Sequence, residues 1–111
     1  YPEGMRWTNE NSYTSNALYC TGYGCAGFAL ILSDAAFGDL PGRRHTDFSN
    51  IRVGDILRID YDTHSVIVLE VKSDSVIVAE GNYNSSIHWG REISFDAIRE
   101  TGQYVLTRYQ Q

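Results

Sequence analysis

Lysine occurs only once, as Lys72, and Lys and Arg together number nine against fourteen Asp and Glu, giving a formal net charge of −5. A chain so poor in clustered cations is not built to neutralise phosphates, which argues against a nucleic-acid partner. There is no run of 18 apolar residues. The most apolar stretches, 66–71 and 76–79, have the length of strands, so no membrane span is expected. Cysteine is scarce too: Cys20 and Cys25 lie five apart with no CxxC, which defines neither a disulfide framework nor a zinc site. Internal repeats and low-complexity segments are absent. The chain also lacks an initiating Met and begins Tyr-Pro-Glu-Gly. It is therefore expected to be a processed product or one domain of a larger secreted protein, and the lack of a leader says nothing.

What is present suits one globular domain over residues 1–111: 42% apolar residues and a length sufficient for a single core. Eight Tyr beside many Asn give a surface suited to carbohydrate or peptide contacts. Residues 1–24 read as an irregular arm. From Cys25 to Phe37 the apolar residues Phe28, Leu30, Ile31, Leu32, Ala35 and Ala36 cover most of a helix, which predicts a buried one stopped by Gly38. Residues 39–50 read as a surface loop. Beyond it come a Gly54-Asp55 turn feeding a strand to Ile59, then strands over 63–71, 75–79 and 87–93. A helical turn at Phe95–Arg99 capped by Ser94 and a closing strand over 103–109 complete the chain. An arm, a helix and an antiparallel meander make an α+β fold.

Chemistry is concentrated in three places. Cys25 stands at a predicted helix start, where the helix dipole favours a thiolate. His64 opens a strand, and Glu80 and Asn82 end the next one. A thiol with an ordinary pKa of about 8.5 needs a base to take its proton. The base in turn needs a polar group to orient it, and either Glu80 or Asn82 supplies one. A three-residue loop at Lys72–Asp74 pairs Val71 with Ser75, Val66 with Glu80 and His64 with Asn82. All three polar residues then share a face, against which the Cys25 helix is expected to lie. An even loop breaks the set unless a bulge compensates. The backbone N–H of Cys25 is a candidate oxyanion donor. Tyr23, Trp7 and Trp89 are candidate substrate contacts, with core packing as the ordinary reading of such aromatics. Asp55 is read as a turn residue, and His45 and His88 as surface or strand residues. Cys20 is read as a spare buried thiol, with a reversible Cys20–Cys25 disulfide as the other possibility.

Gly24-Cys25-Ala26-Gly27-Phe28, Val53-Gly54-Asp55-Ile56, His64-Ser65-Val66-Ile67-Val68 and Glu80-Gly81-Asn82-Tyr83 occur in the order found in papain-like bacterial cell-wall hydrolases. The spacing resembles the CHAP family, and the Cys-x-Gly-Phe element resembles the NlpC-type peptidases. Trp7 and Ile87-His88-Trp89-Gly90 resemble a subgroup of Gram-positive surface proteins. The resemblance implies a papain-like fold and a cysteine peptidase or amidase acting on peptidoglycan, with no metal or cofactor. It implies Cys25 as nucleophile, His64 as base and acid, Glu80 as third member and Asn82 as auxiliary. It also implies a location outside the cell or in the cell wall of a Gram-positive bacterium. Two departures are visible: Gly24 stands where NlpC-type enzymes usually carry Asp, and the second His they often use is missing. A papain-like effector acting on a protein target and a non-catalytic binding module are the competing readings.

Overall fold

The computed structural model describes residues 2–18, 20–61 and 63–109. Its elements run β1 (Ser12–Ser15), β2 (Cys20–Tyr23), α1 (Cys25–Phe37), β3 (Arg43–His45), β4 (Ile56–Ile59), β5 (His64–Val71), β6 (Ser75–Tyr83), β7 (Ser86–Ser94), α2 (Phe95–Thr101) and β8 (Tyr104–Thr107). The fold is α+β. Six strands form an antiparallel sheet in the order β3-β8-β4-β5-β6-β7, and β1 pairs with β2 in a separate ribbon.

The sheet is buried on both faces, which is why β5 and β6 read as nearly unbroken apolar runs rather than as alternating strands. On one face α1 sets Phe28, Ala29 and Leu30 against Ile56, Ile67, Ala79 and Ile87. On the other, Ile98 of α2, flanked by Phe95 and Phe48, packs with Leu57, Ile59, Val66, Val68, Val76, Val78 and Val105. The helix ends as the sequence predicts: Gly38 takes φ +60° and its N–H reaches the Asp34 carbonyl at 2.8 Å. Ser94 caps α2, its hydroxyl accepting the Ala97 N–H at 3.2 Å. No helix among the described residues is long and apolar enough to cross a membrane.

Three expectations change. The arm is not irregular throughout, because Ser12–Ser15 and Cys20–Tyr23 pair as the β1–β2 ribbon. Its strands carry Ser, Thr, Gly and Tyr, so they show no apolar alternation. They are held by polar contacts to α1 instead. Tyr13 Oη and Ser15 Oγ both donate to the Asp34 carboxylate, at 2.7 and 3.0 Å, and Arg108, 2% exposed, donates to the same group at 2.8 Å. Second, the loop over 39–50 contains β3, a short polar edge strand paired with β8 and recognisable only by that pairing. Third, the β5–β6 turn differs. Val71 pairs with Val76, not Ser75, and the Lys72 N–H reaches the Ser75 carbonyl at 2.8 Å. The even turn is compensated by a bulge at Leu69, so beyond it Val68 faces Val78 and Ile67 faces Ala79.

Candidate active site

The Leu69 bulge decides the site. Continuing the turn's register without it would set Ile67 against Glu80, placing the carboxylate on the face opposite His64. With it, the count puts His64 and Glu80 on one face, and they meet: His64 Nε2 lies 2.8 Å from Glu80 Oε1. His64 is 9% exposed and Glu80 1%.

A second bulge supplies a residue the sequence reading missed. Gly90, at φ +100°, is the extra residue of β7, so Trp89 pairs with Ala79 while Arg91 pairs with Val78. That shift turns Arg91 onto the face of Glu80. Its Nε donates to Oε2 at 2.7 Å and its Nη2 to Oε1 at 2.9 Å. The guanidinium also lies 4.6 Å from the centre of the Tyr83 ring. An Arg after a Gly in a strand was the only signal available, and it does not reveal a bulge by itself.

Helix α1 covers the other face of the sheet from the one expected, the face of Ile67 and Ala79. Its N-terminus brings Cys25 to the end of the sheet, beside the His64 imidazole at the start of β5, where each shifts the other's proton affinity. Since Nε2 is taken by Glu80, Nδ1 is the nitrogen left for the sulfur. On the α1 face Ser65 stands beside Arg58, whose Nη1 donates to Ser65 Oγ at 2.9 Å and approaches Cys25 Sγ at 4.0 Å.

The arm fixes where the thiol sits. Gly24, immediately before it, adopts φ +57°, and a Cβ there would come within 2.3 Å of Asn9 Oδ1. This position accepts only glycine in comfort. The Gly24 N–H reaches the Asn11 carbonyl at 2.8 Å, and its own carbonyl accepts the Trp7 indole N–H at 2.7 Å.

Electrostatics follow from these contacts. Burial works to raise the Cys25 thiol. Hydrogen bonds from His64 and the Ser65 backbone, with the charges of His64 and Arg58, outweigh it and hold the thiol below its ordinary value. Burial likewise works to lower His64, but hydrogen bonds to Cys25 and Glu80 and their negative charges carry it up to about 9. Burial would raise Glu80, yet His64 and Arg91 keep it below the usual carboxylate range. The directions agree: each shift favours a thiolate beside an imidazolium, backed by a carboxylate–guanidinium pair.

The other candidates are dispersed. Asn82, at φ +55°, donates its amide to Asn9 Oδ1 at 3.0 Å and stands beside Gly24, not against His64. Trp7 is 5% exposed in the core, edge-on to Phe28 at 5.6 Å, so it presents no surface to a substrate. Trp89 is 40% exposed and packs edge-on against the same Phe28, while Tyr23 is largely exposed on β2 two residues before Cys25. Cys20 is exposed rather than buried, and both cysteines are free thiols. His88 sits on β7 with Nδ1 2.7 Å from Glu3. Asp55 is fully buried and does serve its turn, accepting the Arg52 N–H at 2.9 Å. Among the described residues no group of three or more His, Cys, Asp or Glu is placed to hold a metal ion.

Compared with known proteins, the chain matches no family model and no curated protein. Among solved structures, the crystal structure of Ly7917 is similar, with a TM-score of 0.51 and 22% identity. The likeness is one of fold alone. It covers 66% of this chain and spans 32% of Ly7917.

Proposed function

We propose that this chain is a papain-like cysteine hydrolase that cleaves peptide or amide bonds of bacterial peptidoglycan. The observation that carries the catalytic part is the continuous chain Cys25–His64–Glu80–Arg91, in which a buried carboxylate neutralised from behind by Arg91 still accepts a hydrogen bond from the imidazole. A core histidine needing only a partner would be satisfied by Glu80 alone. Here a thiol with a lowered pKa also stands beside it, as nucleophilic catalysis requires. The peptidoglycan part rests on the Cys-Ala-Gly-Phe, His-Ser-Val and Glu-Gly-Asn motifs and their resemblance to the CHAP and NlpC-type enzymes. With it goes an extracellular or cell-wall location.

In this mechanism the Cys25 thiolate attacks the scissile carbonyl carbon and the C=O π electrons move onto oxygen. The Cys25 N–H, in the first turn of α1 where no intrahelical carbonyl is in reach, donates to that oxygen. The His64 imidazolium then gives its proton to the leaving nitrogen as the C–N bond breaks, leaving a thioester and a neutral imidazole. That imidazole takes a proton from water, whose oxygen attacks the thioester, and the thiolate departs with its electron pair. Glu80 holds the ring and stabilises its cationic form without itself taking a proton, because Arg91 keeps the carboxylate ionised.

Digestion of purified peptidoglycan with mass analysis of the released fragments tests the reading. The wild type is expected to release muropeptides with new amine and carboxyl ends, and Cys25→Ala to release none. Equal release by both, or none by a wild type whose Cys25 is rapidly alkylated by iodoacetamide, overturns it. The second outcome moves the site to a protein target.

A further inference from the structure

A cleft of about 150 Å³ runs between β2 and the sheet, its wall including Ala26, which follows Cys25, and Ser65, which follows His64, together with Ile56, Tyr104 and Arg44. A second hollow of about 290 Å³ adjoins it and shares Cys20, Arg44 and Leu106. Arg44 therefore borders both. Its guanidinium lies 4.4 Å from the centre of the Tyr104 ring, which stiffens a long side chain on an edge strand. Among the described residues no carboxylate pairs with Arg44, and no Asp or Glu lines either hollow. In a chain of fourteen acids and nine bases, a groove charged only by arginines is complementary to an anion.

The sheet register gives the spacing. Tyr104, Arg58 and Ser65 form one row across β8, β4 and β5, and Arg44, Leu106 and Ile56 form the next across β3, β8 and β4. With strands about 4.8 Å apart, Tyr104 stands about 10 Å from Ser65, and Arg44 lies about one strand farther out. An extended peptide advancing about 3.3 Å per residue covers the roughly 14 Å from Ser65 to Arg44 in about four to five residues.

Resting on the hydrolase reading above, we propose that Arg44, braced by Tyr104, binds a free carboxylate on the substrate peptide about four to five residues from the scissile bond. It thereby selects acidic peptides over their amidated forms. The planar guanidinium, with Tyr104 behind it, leaves its N–H edge for a carboxylate approaching along the cleft.

The test compares peptidoglycan before and after carbodiimide-driven amidation of its carboxyl groups. The wild type is expected to digest the amidated material about tenfold more slowly, the scale of one charge-assisted contact. Arg44→Gln is expected to digest both at that lower rate, and Arg44→Lys to keep part of the discrimination. Equal wild-type rates on the two substrates overturn the Arg44 assignment and leave the hydrolase reading standing. Discrimination undiminished in Arg44→Gln overturns it as well, placing the carboxylate elsewhere. No release from either substrate overturns both readings together.

Discussion

Replacing Glu80 with Gln removes one charge from the centre of the site and keeps the shape. In the wild type His64 is carried from 6.5 to about 9, a difference of about 2.5 pH units that favours the imidazolium by about 3 kcal/mol. Burial opposes the rise, so the Cys25 sulfur and Glu80 together supply at least that much. Glu80 supplies part of this through its hydrogen bond and its charge, so its removal should lower the His64 midpoint by about one pH unit. Arg91, left without its counter-ion and about 31% exposed, pushes in the same direction. Carbon-detected titration of the imidazole resonances reads this directly, because the chain has only three histidines. One should titrate near 9 in the wild type and well below it in Glu80→Gln. Stability provides a second readout. A histidine whose folded pKa is raised contributes fully below its unfolded value near 6.5 and loses that contribution as pH rises through about 9. The urea stability gap between wild type and Glu80→Gln should therefore be widest near pH 6 and narrow towards pH 10. An unmoved His64 midpoint would refute the claim that Glu80 poises the base.

Three further outcomes are expected. Trp7→Phe keeps the aromatic contact with Phe28 but loses the buried indole bond to Gly24, and should cost about 1–2 kcal/mol in urea denaturation and slow alkylation of Cys25; unchanged stability would show that the bond holds nothing. Gly24→Ala meets both a positive φ and Asn9 Oδ1, and should lower the thermal midpoint through at least about 1 kcal/mol of strain. Adding Asn9→Ala should restore only the clash component, and full restoration would mean that φ carries no penalty there. Asn82→Ala should leave the His64 titration unmoved, since the Asn82 amide bonds to Asn9; a clear shift would reinstate Asn82 as an orienting residue.

How much was legible can be seen residue by residue. Cys25 at a helix start and the stop at Gly38 were readable because a 13-residue apolar run bounded by glycines has few other solutions. His64 and Glu80 were readable as candidates through the hairpin count, although the turn assumed was wrong and the outcome right only because Leu69 bulges. Arg91 was invisible, since its face depends on Gly90 leaving the ladder. The ribbon of residues 12–23 was missed because hydrogen bonds to Asp34 hold it rather than an apolar stripe. Trp7, a candidate substrate contact, follows its ordinary reading as a core aromatic and props Gly24.

The amino-acid order alone determined the α+β class, the nucleophile candidate and the pair of strands that bring base and carboxylate together. These follow from apolar periodicity and from residue chemistry, which are local. Which side chains meet was decided only by the tertiary structure. Side chains on a strand alternate, so one extra residue at Leu69 or Gly90 reverses every face beyond it. Glycine permits the bulge at Gly90, whose φ is +100°, but an apolar residue such as Leu69 carries no local mark that it will leave the ladder.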